Sequence, residues 1–96
     1  MRLNQGQIES IKQTVQAIAG EDARAIIFGS RLHDETKGGD LDLLVQADQH
    51  ITLLQRARIK MLLEQSLALP VDVITHQRHA PTTPFQQIAI KNGVSL

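Results

Sequence analysis

Apolar and polar positions follow two rhythms along this chain, and each change of rhythm marks an element. Ile8, Ile11, Val15 and Ile18 recur at three- and four-residue intervals, which gathers them on one face of a helix. Asn4 suits its N-cap, Gln7 holds the reciprocal capping-box position, and Leu3 can pack against Ile8. Gly20 suits the left-handed position that ends it. Arg24 to Phe28 is a short apolar run, the pattern of a strand buried on both faces. Gly29 to Gly39 is polar with three glycines and predicts a turn and a loop. Asp40 to Gln46 predicts a second strand, with Leu41, Leu43 and Val45 on one side and Asp40, Asp42 and Leu44 on the other.

Asp48 to Leu67 predicts a long helix whose apolar residues form no single stripe. Ile51, Leu54, Met61 and Leu62 fall on one side; Leu53, Leu63 and Leu67 fall nearly opposite. A helix apolar on two faces is sandwiched or carries a contact surface. The expectation is that the surface around Leu53, Leu63 and Leu67, or the rim of the active site, docks another protein or a second copy of the chain. Pro70 stops the helix, Val71 to Ile74 predicts a third strand, and His76 to Thr82 reads as loop. Thr83 caps a last helix with Pro84 at its first position and Gln86 completing a capping box. Phe85, Ile88 and Ala89 form its expected inward face, and Gly93 ends it. The order predicts the α/β class: a small mixed β-sheet of at least three strands covered by helices.

Composition narrows the classes. Apolar residues make up 42% and charged residues 21% of the 96 residues, as in an ordinary globular domain and unlike a disordered chain. No stretch approaches the ~20 apolar residues of a membrane span. Cysteine is absent, which excludes disulfides and thiolate metal sites and suits a reducing cytoplasm, the expected location. Ten basic residues balance ten acidic ones, and Phe28 and Phe85 are the only aromatics. Neither the charge nor the aromatics favour direct nucleic-acid binding.

The candidate chemistry lies at the second strand. Asp40 and Asp42 sit two apart and share a face. Two like charges at the edge of an apolar core are unfavourable unless a cation sits between them. Hard oxygen ligands suit magnesium, which keeps waters and takes further ligands from substrate phosphates. Asp72 interrupts the β-branched run of the third strand, a costly place for an acid without a partner. Neighbouring second and third strands would account for all three acids together. Gly29-Ser30 follows the first strand directly, so their amides can receive phosphate oxygens. Arg31 and Lys37 lie near enough in sequence to neutralise a triphosphate.

Gly29-Ser30, nine residues, then Asp40-Leu41-Asp42-Leu43 resembles the signature of the DNA polymerase β-like nucleotidyltransferase superfamily. The chain length and Pro70-Val71-Asp72-Val73 resemble its smallest members, the minimal nucleotidyltransferases. The resemblance implies a palm-like nucleotidyltransferase fold in a single domain over residues 1–96. It implies that Gly29 and Ser30 bind the phosphates of ATP; Arg31 either joins them at the phosphates or is a surface arginine paired with Asp34 or Glu35. It also implies that Asp40 and Asp42 hold two Mg2+ ions (Mn2+ can substitute), and that Asp72 completes the metal site and assists the attacking hydroxyl. Many minimal members have ten residues in the intervening loop; nine also occurs in the superfamily. Such subunits usually act with a small helical HEPN-type protein, a toxin they neutralise by attaching AMP to it, so an antitoxin role is implied. The alternative is a non-catalytic module that neutralises a helical partner by contact.

Other motifs fit poorly. An EF-hand loop would need an oxygen ligand at Leu44, and neither a Walker lysine nor a G-x-S-x-G elbow is present. His76 and His79 read as loop histidines, and Arg56, Arg58 and Lys60 as a solvated helix face.

Overall fold

The computed structural model describes residues 3–29 and 40–96. The chain runs through α1 (Gln5–Ala19), β1 (Arg24–Phe28), β2 (Leu41–Ala47), α2 (Leu53–Leu67), β3 (Val71–Gln77), α3 (Pro84–Asn92) and β4 (Val94–Ser95). The strands form one sheet in the order β3-β2-β1-β4. β1 pairs antiparallel with β2 and with β4. β2 and β3 pair in parallel, because α2 carries the chain back between them. This is the expected mixed α/β sheet covered by helices. Among the described residues, no helix is long and apolar enough to cross a membrane.

Alternation along the strands divides the interior. Ile27, Leu41, Leu43 and Val45 pack with Ile11 and Val15 of α1 and Ile59, Leu63 and Leu67 of α2. On the opposite face, Ile26 and Leu44 pack with Ala89 of α3, flanked by Phe28, Ile74 and Ile90. β2 reads as nearly continuous apolar residues because both its faces are covered.

Each of the three described α-helices starts with a capping box: Asn4 with Gln7, Thr52 with Gln55, and Thr83 with Gln86. The second box places the start of α2 at Leu53 rather than near Asp48. The residues before it are tied down elsewhere. The Asp48 amide donates to Asp22 Oδ2 at 2.9 Å, and the Arg78 guanidinium pairs with both Asp22 and Asp48.

Three expectations are corrected. On α2, Ile59, Leu63 and Leu67 are core, so Leu63 and Leu67 offer no docking surface. The residues left outside are Leu53, Leu54 and Met61, with Leu53 72% exposed. On α3, only Ala89 of the three expected residues is buried, while Phe85 and Ile88 are exposed. The helix meets the sheet near its C-terminal end, and a nine-residue helix is too short for periodicity to reveal that. His76 lies in β3, not a loop, and is buried. Its Nε2 lies 2.9 Å from the Ala80 carbonyl, which can only accept, so Nε2 carries the proton. Nδ1 then accepts from the Gln46 amide at 3.1 Å.

β4 exists because Gly93 lets the chain pass close to β1. A Cβ at Gly93 would lie 2.5 Å from Ile26 Cγ2 and 2.8 Å from the Ile27 carbonyl oxygen. Gly93→Ala is therefore expected to cost about 1–3 kcal/mol, as overpacking does. The measurement is the urea midpoint, and an unchanged midpoint would contradict this packing of the last strand.

Candidate active site

Strand register assembles the site. Phe28 pairs with Asp42 across the antiparallel ladder, and Asp42 pairs with Asp72 across the parallel one. Directly paired residues share a sheet face, so Phe28, Asp42 and Asp72 form one row, adjacent strands being about 4.8 Å apart. The next row is Ile26, Leu44 and Ile74. α3 seats Ala89 against Ile26 and Leu44, whereas Asp72 in the first row is exposed and Asp42 is half-buried. The carboxylates thus stand just past the end of a small apolar core.

Gly29 follows β1 with φ of 81°, in the left-handed region. A Cβ there would overlap Asp42 Oδ2 and lie 3.1 Å from Asp42 Cγ. The turn therefore presents bare backbone to the Asp42 carboxylate. Ser30, Arg31 and Lys37, expected to contact phosphate, lie outside the described residues.

The charge is unbalanced here. The Asp42 carboxyl is pushed above its ordinary value, first by burial, then by Asp72 and by Asp40. Partial burial disfavours its anion, and two neighbouring carboxylates add repulsion. Such a donor set, all hard oxygen and short of positive charge, fits a divalent cation such as magnesium. Among the described residues no three acidic or histidine side chains close around one point. A cation held by these aspartates would accordingly complete its shell with water and phosphate oxygen.

A cleft of about 460 Å³ opens from Asp42 and Asp72 over β3. Phe28, Ile74 and Phe85 line it on the α3 side, and Arg56, Ala57 and Lys60 line it from α2. Two of the three basic residues expected on a solvated helix face thus border the cleft. Lys60 has a structural task as well. Its Nζ donates to the Val71 carbonyl at 2.6 Å and to Glu64 Oε2 at 3.2 Å, and the same Oε2 accepts from the Val71 amide at 2.9 Å. Those bonds hold the Glu64 carboxyl below its usual range, the Val71 amide contributing most. Together they pin the start of β3 one residue before Asp72. The i, i+4 spacing of Arg56, Lys60 and Glu64 was the available sequence signal.

A short mixed sheet with helices on both faces carries acids in register beside a glycine turn, an α/β fold with its acidic residues gathered at one place. Residues 7–96 match the family model described as polymerase beta, nucleotidyltransferase. The chain belongs to this nucleotidyltransferase family, a family of transferase enzymes. It is 41% identical over 59 residues to a Methanocaldococcus jannaschii protein provisionally named a protein adenylyltransferase. That match covers 60% of this chain and 63% of the relative, so it spans less than two thirds of the relative's length. A solved structure, described as that of a provisionally assigned minimal nucleotidyltransferase, matches with a TM-score of 0.66 at 26% identity. The match covers 99% of this chain and 98% of that one.

Proposed function

We propose that this chain transfers AMP from ATP to a hydroxyl on a partner protein, in a magnesium-dependent reaction. The observation that carries the proposal is the in-register pair of Asp42 and Asp72 beside the Gly29 turn. The provisional name of the archaeal relative supports adenylyl transfer to protein.

In this reading Asp40 and Asp42 hold the divalent cations, Mg2+ or Mn2+, and Asp72 completes the set. Bound cations would neutralise charge on the phosphates and lower the pKa of the attacking hydroxyl. The amides of Gly29 and Ser30, with Arg31, hold the β- and γ-phosphates. The acceptor oxygen forms a bond to the α-phosphorus as the bond from that phosphorus to the bridging oxygen breaks. The hydroxyl proton passes to the Asp72 carboxylate, and pyrophosphate leaves.

The acceptor belongs to a small helical HEPN-type protein, which makes the chain an antitoxin. Leu53, Leu54 and Met61, exposed along α2, are its docking residues, in place of the expected surface on Leu63 and Leu67. Pairing of two copies through the same residues is the competing use of this face. Light scattering with and without the helical protein separates the two.

Calorimetry supplies the direct test of the site. ATP is expected to bind with magnesium present and to lose at least about tenfold in affinity with excess chelator, since the cation links the aspartates to the phosphates. Equal binding in both conditions would rule out the metal site. Labelled ATP, magnesium and a small helical HEPN-type protein should then yield label on that protein. Label that stays on free nucleotide would remove the acceptor proposal.

A further inference from the structure

Phe85 is 58% exposed, yet it is not a loose surface residue. Its ring meets Phe28 edge to face, with centroids 5.7 Å apart and planes at 79°. Its backbone sits in the first turn of α3, which is fixed at both sides. Gln86 Oε1 accepts from the Thr83 amide at 2.9 Å, and Gln86 Nε2 donates to the Thr75 carbonyl of β3 at 3.2 Å. The ring is thus held against the cleft before any ligand arrives, although burial supplies little reason for an aromatic there.

The lining of the cleft is mixed. Asp42 and Asp72 lie in one row across the sheet and Ile74 in the next; Phe28 and Phe85 add aromatic surface, and Arg56 and Lys60 border it from α2. Phe28 is paired with Asp42 and followed directly by Gly29. A ligand that fits has a charged part taken up beside the carboxylates through cations and a flat, weakly polar part against the rings. A nucleoside triphosphate has that layout, and about 460 Å³ lies within the usual range for small-ligand sites.

We propose that Phe85 is the stacking platform for the nucleobase of the bound nucleoside triphosphate. The inference rests on the nucleotidyl-transfer reading and adds a base site to it. Two aromatics cannot track a nucleic-acid strand, but one ring suffices for a single base, because every base presents a π-face.

The test compares ATP with inorganic tripolyphosphate, which keeps the charge and lacks the base, each with magnesium. Phe85→Ala should weaken ATP binding about tenfold, in line with the loss of one base stack, and leave tripolyphosphate binding within twofold. Phe85→Leu keeps apolar bulk against Phe28 and should weaken ATP in the same way, which separates loss of the π-face from loss of packing. Phe85→Trp places a single fluorophore in a chain that has no tryptophan. ATP should quench its emission and tripolyphosphate should not. Unchanged ATP affinity in the alanine variant, or equal weakening of both ligands, would overturn the assignment. If neither ATP nor tripolyphosphate binds the unaltered protein, the nucleotidyl-transfer reading itself falls, and the base site with it.

Discussion

Asp42→Asn is expected to lower transfer at least about a thousandfold, because metal-supplied charge stabilisation is worth several kcal/mol and each 1.4 kcal/mol is a decade in rate. The same substitution should leave the metal-free protein as stable as before, or more so. Burial and the charges of Asp72 and Asp40 push the Asp42 carboxyl above its ordinary value of 3.8. Between 3.8 and that raised value, the folded protein keeps a proton that the unfolded chain releases. Stability therefore falls as pH rises through this window, and above it the folded state carries the whole cost of the charge. Asparagine has no charge to disfavour, so the variant should melt no lower than the parent at neutral pH. The difference should vanish below pH 3.8, where the parent carboxyl is protonated in both states. Thermal melts across pH, with chelator present, measure this directly. A variant that melts well below the parent at neutral pH, or one that keeps full transfer, would make Asp42 a structural residue.

Local signals in the chain reach as far as local physics decides the outcome. β1 is legible because Ala25, Ile26 and Ile27 are buried from both sides, and an uninterrupted apolar run of five residues or so between polar ends suits a strand covered on both faces. The two faces of β2 follow from strand alternation alone. The capping box at Thr83 is readable, yet the identical signal at Thr52 and Gln55 is obscured by Ile51, which is buried and mimics a helical position. What fixes Asp48 outside the helix is the Arg78 side chain, thirty residues away in sequence, and no window contains both.

The site divides in the same manner. The face of Asp42 follows from strand alternation, whereas Asp40 lies one residue before β2, near enough to repel the Asp42 carboxylate. That Asp42 stands opposite Asp72 depends on a parallel register set by how α2 packs across the sheet, so the sequence can suggest neighbouring strands but no pairing. Helical spacing to Ala89 points Phe85 inward. Its actual place follows from where α3 crosses the sheet, which leaves the first turn beyond the core. β4 has two residues, too few for any periodicity, and only the close passage at Gly93 accounts for it.

The second large effect belongs to Gly29→Ala, and here fold and chemistry should fail together. A side chain at φ of 81° costs about 1–2 kcal/mol, which in a domain of this size lowers the melting midpoint by about 4–16 °C. The added carbon would also overlap the Asp42 carboxylate. Asp42 must then rotate away from the turn, and transfer should drop by about a hundredfold or more, as it does when a reacting group is displaced by about an ångström. The two costs can be separated because only the overlap involves Asp42. In an Asp42→Ala background the carboxylate is gone, so Gly29→Ala should retain its backbone penalty and lose the steric one. Contacting residues usually couple by about 0.5–3 kcal/mol, and a coupling of that size is expected between these two substitutions in urea unfolding. Strict additivity would mean that the turn and the carboxylate do not touch. The glycine would then be needed for its backbone conformation alone, and the close approach of Gly29 to Asp42 would play no part in shaping the site.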